Sequence, residues 1–499
     1  MDHLSGLDAS FLHLETAQMP MHVGGLLLLE PPARARKGFT AAVRKHIGAR
    51  MHLADVFSKK LATMPLAFAN PVWIADDAVD LDYHIQHSRL PAPGSRAQLD
   101  DMVARLHSVP LDRSRPLWQC HVIDGLADGH IGFYAKLHHA ALDGQGAVVL
   151  AQALLDLEPT PRRVDAPPAR EPAGAPPSTR AMLAGALQHT AAQLVNMARA
   201  APAGLRAVAG LLAPRDHGNG DGNGGKRKLA WPSQLALAPR TPFNGSIGSE
   251  RAFAGVSVAL DEAIEIGKGF HGKLNDAALG IVSGALRRYL DAHGALPAKS
   301  LVAAVPFSVR EEGNATLNNQ VGMTLLKLAS DEADPRKRMR AIVKASGAMK
   351  RSMDDMKSVM PSDFPSIGVP WLMTAAAALV GRARLADSLP ALANVVLSNV
   401  PGPRVPLYLA GARVLANYPV SIVIHGLALN VTVQSYCGSL DIGIIAAREA
   451  MPDMAFFVEC IVAAHAELLA LARAPEAAAA PRRRRAAAAK PRASNSAAA

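Results

Sequence analysis

Two breaks in composition limit what this chain can fold into. After residue 157 it runs EPTPRRVDAPPAREPAGAPPST, and at 216–228 it runs DHGNGDGNGGKRK. Proline and alanine in the first favour an extended linker. Glycine and asparagine in the second cannot hold a regular element. Together they bracket a middle segment and separate an N-terminal half from a C-terminal half. The expected organisation is a domain at 1–157, a linker region at 158–240, a second domain at 241–474 and a tail at 475–499. A length of 499 residues is ample for two cores.

Both halves mix helix and strand signals. Val23–Leu29 suits a buried strand and Gln98–His107 a helix. Trp118, Cys120 and Val122 alternate with polar neighbours, and Ile131, Phe133, Ala135 and Leu137 keep the same period of two. The turn signal DGLADG lies between them, so 118–137 reads as a strand pair. The stretch GAVVLAQALLDL that follows has a helical pattern. In the second half LNDAALGIVSGALRRYLDAHG is helical, and LVAAVPF and VGMTLLKL are strand-like. A basic helix follows at 335–351, then ANVVLSNVPGP as strand into turn, a hairpin over 421–446 and a last helix at 454–473. This alternation predicts a mixed α/β or α+β protein of two domains.

The net charge of +11 is unevenly spread: Arg482, Arg483, Arg484, Arg485, Lys490 and Arg492 in the tail carry more than half of it. That tail has no apolar periodicity and reads as disordered, either a plain solvated extension or an anionic-surface binder. From Pro172 to Arg215 there is no acidic residue, while Leu183, Leu187, Leu194 and Met197 share one helical face. Such a helix lies in a membrane interface or packs on its own protein. Three cysteines without pairing or ligand spacing favour a reducing compartment, and no signal peptide opens the chain. The uncharged runs 414–440, 364–381 and 181–198 are each interrupted by polar residues or proline, whereas a spanning helix needs roughly 20 mostly apolar residues. The expectation is a cytoplasmic protein with peripheral membrane contact and no nucleic-acid partner.

KLHHAALDGQG at 136–146 falls where a strand ends and a helix has yet to begin. Adjacent histidines point apart, and no HExxH or CxxC supplies further metal ligands, so no metal site is expected. No GxSxG or cysteine motif supplies a nucleophile beside a base. What remains is histidine as general base on a loop fixed by Asp143 and Gly144, or a structural loop with one satisfied histidine.

HHAALDG at 138–144 resembles the HHxxxDG signature of the CoA-dependent acyltransferase superfamily. The chain is similar, within it, to the bacterial wax ester synthase/acyl-CoA:diacylglycerol acyltransferases. Supporting matches, in order, are LSGLDASFLHLE at the start, PLW at 116–118, TPFNGSIG at 241–248, ND at 275–276, PFSVR at 306–310, LNNQVG at 317–322 and SNVPGP at 398–403. The DFGWG motif of other superfamily branches is absent. The resemblance implies two similar chloramphenicol-acetyltransferase-like domains with an active-site tunnel between them. It implies His139 as general base, His138 in support, Asp143 orienting the loop and Gly144 permitting the turn.

Asn275 is the candidate oxyanion donor, with a helix N-cap as its rival reading, and Asp276 stands beside it. Pro116, Leu117 and Trp118 shape the wall near the acyl chain or brace the base loop. Ser398 and Asn399 line the cleft from the second domain or belong to a plain turn before Pro401-Gly402-Pro403. Lys337, Arg340 and Lys344 share one face of the basic helix, where CoA phosphates would find charge or where the face is merely solvated. The implied activity is a diacylglycerol or long-chain-alcohol O-acyltransferase that uses acyl-CoA as substrate and no cofactor. Its implied partners are long-chain acyl-CoA, a fatty alcohol or diacylglycerol, and a membrane or lipid inclusion. The alternatives are another hydroxyl acceptor, such as a polyketide or glycolipid, and a non-catalytic lipid-binding protein.

Overall fold

The computed structural model describes residues 2–32, 38–64, 69–141, 144–166, 178–188, 190–192, 195, 237–308, 321–356, 373–375, 379, 381 and 384–474. In chain order the strands are β1 (Asp2–His3), β2 (His22–Glu30), β3 (Lys59–Ala62), β4 (Val72–Ala75), β5 (Ile85–Arg89), β6 (Trp118–Asp124), β7 (Ile131–His138) and β8 (Arg251–Ala259). They continue with β9 (Val302–Ser308), β10 (Val321–Lys327), β11 (Val395–Val400), β12 (Tyr408–Leu409), β13 (Ala412–Val420), β14 (Leu429–Tyr436) and β15 (Ser439–Ala447). The helices are α1 (Gly6–Leu14), α2 (Phe39–Gly48), α3 (Leu81–His84), α4 (Arg96–Ser108) and α5 (Gly144–Leu154). In the second half they are α6 (Leu260–Gly269), α7 (Leu274–Ala292), α8 (Pro335–Met356) and α9 (Met454–Arg473).

Two six-stranded mixed sheets organise these elements, in the orders β12-β13-β2-β7-β6-β5 and β10-β9-β11-β14-β15-β8. A small sheet, β1-β4-β3, sits apart. The expected strand pair at 118–137 is the antiparallel β6–β7 ladder, and the expected 421–446 hairpin is β14–β15. Trp118, Cys120, Val122, Ile131, Phe133 and Leu137 share one apolar core, as their period of two requires. The opposite face of the pair, with His121, Lys136 and His138, is buried as well. Helix α4 accounts for this burial: its Leu99 and Val103 pack with Leu26 and Tyr134 of the sheet, and Ser95 and Gln98 cap it reciprocally.

The C-terminal half donates β12 and β13 to the sheet of the N-terminal half. β13 comes from the C-terminal half yet pairs antiparallel with β2, from Arg413↔Glu30 to Val420↔Gly24, and completes the N-terminal sheet. The 241–474 stretch is therefore not a sheet domain closed on itself. Along this edge Ala412–Val420 alternates buried with more exposed residues. The chain then returns at Ser421 to form β14 in the other sheet. Residues from both halves consequently share one core, in which Leu26, Leu99 and Tyr134 join Phe253, Tyr418 and Ile442.

Helix α9 is long and apolar enough to span a bilayer by composition. Its Phe457, Ile461, Ala464 and Leu468 are nevertheless buried in that shared core. Cys120, Cys437 and Cys460 are all free thiols.

Candidate active site

At the end of β7 the chain turns through a short 3-10 segment, His139–Ala141, before Gly144 opens α5. Asp143 lies outside the described residues. The turn rests on helix α1: Ala140 packs with Leu4, Ala9, Leu12 and Leu117. The His139 ring stacks on Phe11, with centroids 4.0 Å apart and planes 13° from parallel. The His139 N–H donates to Met21 O at 2.9 Å, which fixes the backbone under the ring.

The two histidines have different surroundings. His138 is fully buried, and its Nδ1 accepts the Ala140 N–H at 3.1 Å, so its ring proton sits on Nε2. That Nε2 stands 3.4 Å from Glu15 Oε1, long for a hydrogen bond but close for electrostatic attraction. His139 keeps partial solvent contact. Burial of its ring pushes the imidazole down to about 4, opposed by its own backbone carbonyl and reinforced by His138. At neutral pH it is an uncharged base.

Glu15 was not singled out by sequence reasoning, although it closes the quoted LSGLDASFLHLE stretch. Its carboxylate accepts from Met21 N at 2.9 Å and from Arg113 Nε and Nη2 at 3.0 and 2.8 Å. Burial alone would raise its pKa, but His138, Arg113 and the Met21 N–H outweigh it and hold the group at about 2. Arg113 also donates to Leu12 O at 2.6 Å and so ties α1 to the same carboxylate. Both residues of the turn-forming backbone, His139 and Met21, therefore hang on one ionised anchor.

PLW lies beneath this loop. Leu117 and Trp118 are buried at 0% and 1% exposure. Leu117 O accepts the His138 N–H at 3.0 Å, and the Trp118 N–H bonds back to Pro116 O. The Trp118 indole donates to Phe57 O at 3.1 Å and stacks on His84 at 4.3 Å. The motif's backbone thus holds the start of the His138–His139 loop, and the Leu117 and Trp118 side chains lie in the core.

The second group of expected residues stands in the C-terminal half. Asn275 is the second residue of α7, whose N-cap is Lys273 rather than Asn275. Asp276 supplies the capping contact instead: its Oδ2 accepts the Lys273 N–H at 2.8 Å, and it is buried. This leaves Asn275 outside the cap, and its Oδ1 accepts from Asn399 Nδ2 at 3.3 Å. The amide's NH2 is then its remaining donor function. Ser398 and Asn399 lie on β11, which pairs with β14 through Val400↔Gln434 but leaves β9 after Val396. They are strand residues half-buried at that opening, and the turn follows only after Val400. Lys337, Arg340 and Lys344 are exposed along α8.

Residues 4–278 match the wax ester synthase/diacylglycerol acyltransferase catalytic domain, and 317–469 match the C-terminal domain of the same family. The chain belongs to the wax ester synthase/diacylglycerol acyltransferase family. A putative diacylglycerol O-acyltransferase of Mycobacterium tuberculosis is 37% identical over 454 residues, covering 90% of this chain and 96% of its own. The O-acyltransferase WSD of Acinetobacter baylyi is 33% identical over 462 residues, 91% of this chain and 94% of its own.

Among solved structures, the wax ester synthase/diacylglycerol acyltransferase of Marinobacter aquaeolei VT8 superposes with a TM-score of 0.65 at 28% identity, covering 94% of this chain and 99% of that one. The starter condensation domain of rhizomide synthetase, at 14% identity and a TM-score of 0.53, shares the fold.

Proposed function

We propose that this acyltransferase moves a long-chain fatty acyl group from acyl-CoA to the hydroxyl of a fatty alcohol or diacylglycerol, making wax ester and triacylglycerol. The observation that carries the reading is His139: a neutral, partly accessible imidazole fixed through its backbone and by stacking. In the proposed step the ring takes the hydroxyl proton as the alcohol oxygen attacks the thioester carbonyl. A C–O bond forms and a tetrahedral oxyanion develops, for which the Asn275 amide, oriented by Asn399, is the candidate donor. The intermediate collapses by breaking the C–S bond, and His139 returns the proton to the departing CoA thiolate. The step balances with acyl-CoA as substrate and no cofactor. Acyl-CoA and acceptor are taken to reach the base from opposite sides, between the two sheets.

Peripheral contact with a membrane or lipid inclusion belongs to the same proposal. Residues 179–188 are helical, and Met182 and Ala186 pack on Met64 and Ala69 while Leu187 is 59% exposed on the outer side. An exposed leucine on the same helix as Arg180 suits an anionic lipid surface. Leu194, Met197 and the basic tail, which were expected to contribute, lie outside the described residues.

The test is a panel of acceptors with purified protein and long-chain acyl-CoA, in which free thiol and ester are both measured. Thiol release that depends on hexadecanol or diacylglycerol, with the matching ester formed, is the expected result. Release only with glycolipid or polyketide hydroxyls would replace the acceptor, and ester formation with none would overturn the reading. Liposome flotation with and without residues 172–215 tests the lipid contact; equal flotation removes that segment from it.

A further inference from the structure

Between α1 and β2 the chain makes a tight turn in which Thr16 and Met19 exchange backbone hydrogen bonds of 3.2 and 3.0 Å. On one side this turn carries the base. Glu15, just before it, anchors the loop electrostatically, and Met21, just after it, accepts the His139 N–H. His22 is the direct cross-strand partner of His138.

On the other side this turn and the start of β2 are fastened to the C-terminal half at three places. Arg251, at the first position of β8, donates through Nη2 to Gln18 O. The His425 N–H points at Met19 Sδ, 3.4 Å away. His22 Nε2 donates to His107 O at 2.8 Å, and the His107 ring continues the link. His107 Nε2 donates to Ser421 O at 2.9 Å, and the Tyr134 hydroxyl donates to its Nδ1 at 2.7 Å.

Arg251 is the unusual member. It is 3% exposed, and its guanidinium spends its donors on three carbonyls, those of Gly248, Glu250 and Gln18. Burying a guanidinium on carbonyls is a demanding arrangement. Two of the three carbonyls belong to its own segment. The third is the turn that holds the base. The Asn275–Asn399 pair belongs to the half from which Arg251 projects.

We infer that Arg251 is a positioning residue for acyl transfer: it ties the Thr16–Met19 turn to the C-terminal half and thereby sets His139 in register with the Asn275–Asn399 pair. The inference rests on His139 acting as the base of the reaction proposed above. Reacting groups carried on separate halves must meet within a fraction of an ångström, and a displacement of about 1 Å costs about 100-fold in rate. Loss of the tie therefore lowers turnover without touching the groups that bind acyl-CoA.

The test uses full-length Arg251→Met and Arg251→Lys with hexadecanol and long-chain acyl-CoA, together with amide hydrogen exchange. Arg251→Met should lower kcat by about 100-fold with KM for acyl-CoA unchanged. Exchange should quicken over 16–22 and 137–141 and not in α9. Arg251→Lys, which keeps one charged donor, should restore most of both. If Arg251→Met does not fold, His107→Asn carries the same prediction from the His22–His107–Ser421 tie. Unchanged kcat, unchanged exchange at 16–22, or an Arg251→Lys no better than Arg251→Met overturns the inference and leaves the activity standing. A wild-type protein that releases no thiol overturns the activity and this inference with it.

Discussion

His138 and His139 are adjacent in sequence, and each could accept a proton as a free imidazole. The fold separates them by what their nitrogens face. His138 uses Nδ1 on Ala140 and turns Nε2 to Glu15, while His139 is held through its backbone and keeps solvent contact. A base whose imidazole sits at about 4 is lost only when pH falls through that value, because protonation removes the lone pair. The kcat/KM profile should therefore be flat from about pH 6 to about pH 8. An acid limb centred on the ordinary histidine value of 6.5 would contradict the site's electrostatics. Glu15→Gln keeps the shape and removes the charge from bonds to Arg113 and Met21. It should cost about 1.5–3 kcal/mol in urea denaturation and slow thiol release. A variant as stable and as active as wild type would remove Glu15 from the machinery.

At the level of elements, the strand pair 118–137 was legible because one face is strictly apolar every second residue. The chemistry of the other face was not. His121, Lys136 and His138 read as ordinary polar neighbours until α4 is laid over them, and no local pattern predicts that covering. Lys136 then donates to Leu106 O and Val109 O at 2.9 and 2.7 Å, a cation on the C-terminal carbonyls of α4. His121 is buried, and among the described residues neither of its ring nitrogens has a partner. Burial holds His107 at about 3, His121 and His139 at about 4, and His22 well below 6.5. Each is neutral in the folded state and protonates more readily unfolded. Their contribution to stability is complete above pH 6.5 and is lost progressively as pH falls below it. Melting temperature should thus be level from neutrality to about pH 8, where Lys136 begins to lose its proton in the fold, and decline on acidification. His121→Leu removes an unsatisfied polar ring and should stabilise by about 1–3 kcal/mol, more at acid than at neutral pH. A destabilised His121→Leu would mean that the ring has partners in solution.

For the whole molecule, the two halves were legible from the linker compositions, and the family from motifs spread along the chain. The donation of β13 to the other half's sheet was not, because Ala412–Val420 carries no signal saying which sheet it joins. Its destination is set by a long-range fit: Gly443 has no side chain, and a Cβ there would meet Pro419 O at 1.8 Å. Glu15 and Arg113 were illegible for a similar reason, since 98 residues separate partners that touch. Gly443→Ala should therefore separate β13 from β15 and lower the melting temperature, at a cost of about 1–3 kcal/mol. A neutral Gly443→Ala would show that the sheets have room to slide.

The central claim is that His139 takes the proton in acyl transfer from CoA. Free thiol released from long-chain acyl-CoA and hexadecanol, compared between wild type and a folded His139→Ala, measures it most directly. The variant should lose about 10²–10⁴-fold in rate. Equal rates from the two proteins would contradict it.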